Sequence, residues 1–184
     1  MKKKVISKDI ILEKSLDFVI KYGIDNLNAR NLAKEINCST QPIYLSFDNM
    51  MDLKQQLLLH CRRFFETYIN NMFNKNNSLF INYISSYIKF AYDYPKLYEF
   101  MFLEMENDDS IGTRNYNEAI IKKITEIGKY SYKVAQKFFL QSFIYAHGLA
   151  TQIVTGYIKW DYEVINELLE DEFEALKLRY KGRE

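Results

Sequence analysis

Apolar residues recur at three- and four-residue spacing along almost the whole of this chain, and little interrupts them: 184 residues hold only two prolines and six glycines. That spacing returns side chains to one helical face every turn, and the scarcity of breakers favours long helices over a turn-rich β fold. The pattern predicts an all-α chain of about nine helices and no strand. Ser7 can cap a first helix carrying Ile10, Ile11, Leu16, Val19 and Ile20, which Gly23 ends after Tyr22. Asn28 can cap a short second helix through Leu32, Ala33 and Ile36, Ser39 a third with Ile43, Tyr44 and Phe47, and Asn49 a fourth from about Met50 to Phe73. A polar connection at Asn74–Ser78 precedes a helix from Leu79 to Tyr92, and Pro95 suits the first turn of another ending near Met105. An acidic connection, Glu106–Gly112, is followed by a helix from Thr113 to Gly128, a long one from Tyr132 to Ile158, and a last one capped by Asp161 and ending near Arg179.

Composition narrows what such a chain can do. Hydrophobic residues form 48% of it, enough for a sizeable core without staples. The formal net charge is only +1, so attraction to nucleic acid must be local. Residues 1–50 carry +2 and the remainder −1, with Lys2, Lys3, Lys4 and Lys8 clustered at the start, a cluster that a solvated terminal tail also fits. Two cysteines, Cys38 and Cys61, and a charged rather than apolar N-terminus suit a reducing, cytoplasmic setting. No stretch approaches the ~18 consecutive apolar residues of a membrane span. Paired carboxylates in an apolar setting, a nucleotide loop and a nucleophile motif are all missing, so no enzyme and no cofactor is expected. Nor is a metal: adjacent helical residues point about 100° apart, which makes His60 and Cys61 a poor ligand pair.

One short stretch carries a specific geometry. Two helices crossing at a tight turn need a small residue where they touch, a turn residue tolerant of left-handed backbone, and an apolar lock on the second helix. Ala33, Asn37 and Ile43 fill these positions, although two ordinary short helices of a bundle would also satisfy them. The second helix opens Ser39-Thr40-Gln41-Pro42, where a cap hydroxyl and first-turn N–H groups can meet a phosphate. Thr40 and Gln41 can reach base edges, Gln41 bonding adenine bidentately, and Tyr44 can offer its hydroxyl to a phosphate.

Residues 7–60 resemble the DNA-binding domain of the TetR (tetracycline repressor-like) family of transcriptional regulators. The likeness rests on Arg30, Ala33, Ser39, Tyr44, Phe47 and Leu53, with Asn37 in place of the family's turn glycine, Asn28 in place of its threonine, and Met50 where a phosphate-contacting lysine is usual. The resemblance implies a DNA-binding domain over 1–50 and an effector-binding and dimerisation domain over 51–184. It places Thr40, Gln41, Pro42, Tyr44 and Leu45 toward DNA, brings Asn28, Ala29 and Arg30 to the backbone, and adds phosphate attraction from Lys3, Lys4 and Lys8. It implies a homodimer through the last two helices, for which Ala146, Ala150, Ile165, Leu168, Leu169, Phe173 and Leu176 are the candidates; the same stripe could serve as intramolecular core. It implies a small apolar or aromatic effector among Tyr83, Tyr87, Phe90, Tyr98, Phe102, Phe139, Phe143 and His147, residues that would equally fill a closed aromatic core. The expected function is a DNA-binding regulator, by family default a repressor, of double-stranded operator DNA. The alternative is a helical sensor or adaptor that never touches DNA.

Overall fold

A computed structural model of the chain describes residues 6–72, 79–104, 113–157 and 159–182. Among the described residues there are nine α-helices and no strand: α1 (Lys8–Tyr22), α2 (Ala29–Ile36), α3 (Gln41–Ser46), α4 (Met50–Asn71), α5 (Leu79–Asp93), α6 (Pro95–Tyr98), α7 (Thr113–Gly128), α8 (Tyr132–Val154) and α9 (Tyr162–Tyr180). The connections expected at Asn74–Ser78 and Glu106–Gly112 lie outside the described residues, as do Lys2, Lys3 and Lys4.

Local chemistry sets most boundaries. The Ser7 hydroxyl accepts the Ile10 N–H at 3.3 Å, and α1 ends at Gly23, whose φ of 83° favours glycine. The Lys96 ammonium then donates to the carbonyl of Lys21 at 2.7 Å, a cation where the helix end is electronegative. Asn49 caps α4 by accepting from the N–H groups of Met51 and Asp52 at 2.8 and 3.0 Å. Asp52 in turn accepts from Gln56 and from the Asp48 N–H; these bonds, the Gln56 amide foremost, hold its carboxyl below the usual range. Two elements differ from the sequence expectation. The helix beginning at Pro95 is α-helical for one turn only and continues as a π-helical segment, Glu99–Glu104. The eighth helix stops at Val154, where the Thr155 hydroxyl turns back onto the carbonyl of Thr151 at 2.8 Å.

The packing divides the chain into two compact units, with one division falling within α4. The first comprises Met1–Thr67 and Tyr94–Met105. Ring contacts explain the inclusion of the later segment: Phe64 meets Tyr94 edge-on at 5.2 Å, and Phe65 meets Phe102 at 5.4 Å. Its core contains Ile11, Val19, Leu32, Ile43, Leu53, Leu57, Leu97 and Tyr98. The second unit comprises Tyr68–Asp93 and Glu106–Glu184, in which α8 packs against α5, α7 and α9. Ala135, Ala146 and Ala150 are buried along α8, small side chains that let its neighbours approach closely.

Candidate nucleic-acid interface

The turn between α2 and α3 is built as the residues require. Asn37 sits at φ 59° and ψ 52°, the left-handed region that asparagine tolerates better than any residue but glycine. The Cys38 N–H bonds to the carbonyl of Ala33 at 2.9 Å and the Asn37 N–H to that of Lys34 at 3.1 Å, the pair of bonds that closes a Schellman cap. Ala33 and Ile43 are both buried, the small contact and the apolar lock expected of a helix-turn-helix. Phe47, just past α3, is buried as well, and the Lys8 ammonium lies 5.1 Å above its ring.

This anchoring leaves one side of α3 in water. Gln41 is exposed, Tyr44 is 56% exposed and Leu45 78%. Ser39 is exposed, and Thr40 and Pro42 are half-buried beside them. The cap differs from expectation: Thr40, already in right-handed helical conformation, holds the cap position, and no side chain caps this helix. Ser39 therefore contributes an exposed hydroxyl and no helix cap. A groove of about 950 Å³ runs past Gln41, Pro42 and Leu45 and is completed by Ile10, Lys14 and Glu35. None of the three was an expected site residue: Ile10 and Lys14 lie on α1, far from α3 along the chain, and Glu35 lies across the turn on α2.

At the start of α2 the Asn28 side chain accepts from the N–H groups of Arg30 and Asn31 at 3.1 and 3.0 Å. Those two amides are thus already satisfied, and the exposed Arg30 guanidinium is the group left to meet a phosphate. Ala29 is buried, so its methyl belongs to the core and only its backbone faces outward.

The expected effector residues separate. Tyr98 and Phe102 belong to the first unit, their rings 4.9 Å apart. The other six lie in the second unit, where four form a chain of contacts. Phe139 stacks on Phe143 at 5.9 Å, Phe143 on His147 at 5.9 Å, and the Tyr87 hydroxyl lies 2.8 Å from His147 Nδ1. Burial lowers the pKa of His147, and a neutral imidazole with Nδ1 unprotonated can accept a hydrogen bond donated by the Tyr87 hydroxyl.

Most of the expected dimer stripe serves as core within the single chain. Ala146, Ala150, Ile165, Leu169 and Leu176 are buried within the single chain, and Leu168 and Phe173 are half-buried. Phe173 stacks on Phe80 of α5 at 5.5 Å, which turns this side of α9 inward. The outward sides carry a different set: Leu140 and Ile144 on α8, with Val164 and Leu178 on α9, all exposed.

Among the described residues no group of three or more His, Cys, Asp or Glu side chains could hold a metal, and no helix is long and apolar enough to cross a membrane. Burial raises the thiol pKa of both Cys38 and Cys61. No protein-family model matches the chain, and comparison with curated proteins finds no significant match.

Proposed function

We propose that this chain is a sequence-specific DNA-binding transcriptional regulator of the TetR type, a homodimeric repressor whose operator affinity responds to a small molecule bound by its second unit. One observation carries the reading. A six-residue helix, too short to persist alone, is held by Ile43 behind a left-handed Asn37 turn while Gln41, Tyr44 and Leu45 stand in water. Such a helix can enter a major groove, with Gln41 reading base edges, Leu45 meeting a thymine methyl, and Tyr44 and Arg30 meeting phosphates.

A palindromic operator requires two such helices about 34–36 Å apart, or a multiple of that. The second copy is supplied by the outward stripe of Leu140, Ile144 and Gly148 on α8 and Val164, Leu168 and Leu178 on α9. Residues four apart, and Leu178 fourteen beyond Val164, return to one side of their helix, which gives each helix one outward apolar face, and the open space beside Gly148 admits a close neighbour. An effector that binds the DNA-incompetent dimer better than the competent one then lowers operator occupancy by population shift.

Selection from random duplexes, with sequencing of the retained fraction, tests the proposal. An enriched palindrome is expected, with retention falling steeply as salt rises. Arg30→Ala should weaken all sequences alike and reduce the salt slope by about one, whereas Gln41→Ala should change which sequence is enriched. Absence of duplex binding at low salt would leave a helical sensor without operator activity.

A further inference from the structure

The second unit contains a cavity of about 170 Å³ that the Tyr87–His147 cluster does not line. Its walls are aromatic: Phe80 of α5, Phe138 of α8, Phe173 of α9, and Tyr130 from the turn between α7 and α8. These rings position one another. Phe80 meets Phe138 edge-on at 5.5 Å, Phe138 meets Phe173 edge-on at 5.7 Å, and Tyr130 stacks on Phe138 at 6.1 Å. The turn is shaped to place the fourth ring: Lys129 has a φ of 52°, and a Cβ on Gly128 would overlap the Tyr130 ring. Ile124 and Ile127 of α7 add an aliphatic wall, and Ile127, 69% exposed, marks the side that opens to water.

Two ammonium groups border this apolar space. Lys177 Nζ lies 5.4 Å from the centre of the Phe173 ring and 2.7 Å from Glu174 Oε1. Lys123 Nζ lies 3.1 Å from Glu126 Oε2. Both ion pairs span one turn of a single helix and are largely exposed, so each is weak and an incoming anion can compete for the lysine. The volume sets the ligand's size, because an apolar cavity of roughly 150 Å³ lined by Leu, Ile and Phe takes up benzene. Here the space suits one ring with a small substituent, and the lysines select a negative one.

We infer that this cavity binds a small aromatic carboxylate, its ring among Phe80, Phe138, Phe173 and Tyr130 and its carboxylate toward Lys123 and Lys177. Occupancy requires no DNA, so the site can be tested apart from the operator reading. The experiment is an NMR titration of the full-length, DNA-free protein with sodium benzoate, following the methyl resonances of Ile120, Ile124 and Ile127. Saturable shifts are expected with a dissociation constant on the order of 1 mM, as suits about nine ligand heavy atoms. Benzyl alcohol, which keeps the ring and lacks the charge, should bind about tenfold more weakly. Lys123→Gln combined with Lys177→Gln, at exposed positions, should bring benzoate down to the level of the alcohol. Ile124→Phe, which fills the space, should abolish both; if that variant does not fold, the lysine variant and the alcohol decide. No saturable benzoate shift, benzoate no tighter than the alcohol, or binding unchanged in the lysine variant overturns the inference. Duplex selection is independent of all three outcomes.

Discussion

The left-handed turn at Asn37 gives the sharpest quantitative handle on the helix-turn-helix. A residue with a Cβ loses about 1–2 kcal/mol in that region, of which asparagine, which tolerates left-handed backbone better than other side-chain-bearing residues, is spared part. Asn37→Ala loses that tolerance and should lower stability by roughly 0.5–1 kcal/mol. Asn37→Val adds the crowding of a branched Cβ and should lower it by about 2 kcal/mol. Asn37→Gly removes the strain altogether, but its freer unfolded chain takes back roughly 0.5–1 kcal/mol, so the two effects should nearly cancel. For a chain of this size each kcal/mol shifts the melting temperature by about 2–4 °C. The expected order of midpoints, followed by far-ultraviolet circular dichroism, is Gly near wild type, Ala lower by about 1–4 °C, and Val lower by about 4–8 °C. Because Asn37 and Cys38 close the cap with their own N–H groups, none of these changes deletes a backbone bond, and the series isolates the left-handed conformation. An Ala variant that melted with wild type would refute the reasoning.

Asn28→Ala removes the acceptor for two amides at the start of α2 and should reduce stability by about 1 kcal/mol, whereas Asn28→Asp, which keeps an acceptor, should not; urea unfolding distinguishes them. Ile144→Glu or Leu178→Glu should convert the proposed dimer to monomer by sedimentation without loss of helix, since these side chains are 61% and 72% exposed. The core residue Leu169, cut to Ala, should instead lower stability by about 2–5 kcal/mol, and a monomeric but undiminished L169A protein would reverse the assignment of the two stripes. Burial holds the pKa of His147 below its ordinary value of 6.5, so below that pH the unfolded chain binds more protons than the folded one. Its contribution is therefore complete above about pH 6.5 and declines as pH falls toward the lowered folded value. Stability between pH 7.5 and 5.5 should fall less in His147→Phe than in wild type, and an equal fall in both would count against a half-buried imidazole held neutral.

The helices and the local joints between them follow from residues close together along the chain. Ser7, Asn28 and Asn49 announce helix starts because each side chain accepts from amides only two or three residues away, Asn37 announces an end through its own left-handed backbone, and the all-α architecture follows from spacing and the rarity of breakers. The outward face of α3 was legible for the same reason: once Ile43 is inside, a six-residue helix leaves Gln41, Tyr44 and Leu45 little choice. Tertiary structure decided what periodicity leaves degenerate. The last helix carries two apolar stripes, Ile165, Leu169 and Leu176 against Val164, Leu168 and Leu178, and packing, with Phe173 stacked on Phe80, makes the first of them core. Packing likewise assigned Tyr98 and Phe102 to the first unit, and it assembled Phe80, Tyr130, Phe138 and Phe173 around one cavity. Those residues come from α5, the turn before α8, α8 itself and α9. Local spacing says which way a side chain leaves its own helix, whereas what it meets depends on how helices distant in sequence fill the shared interior.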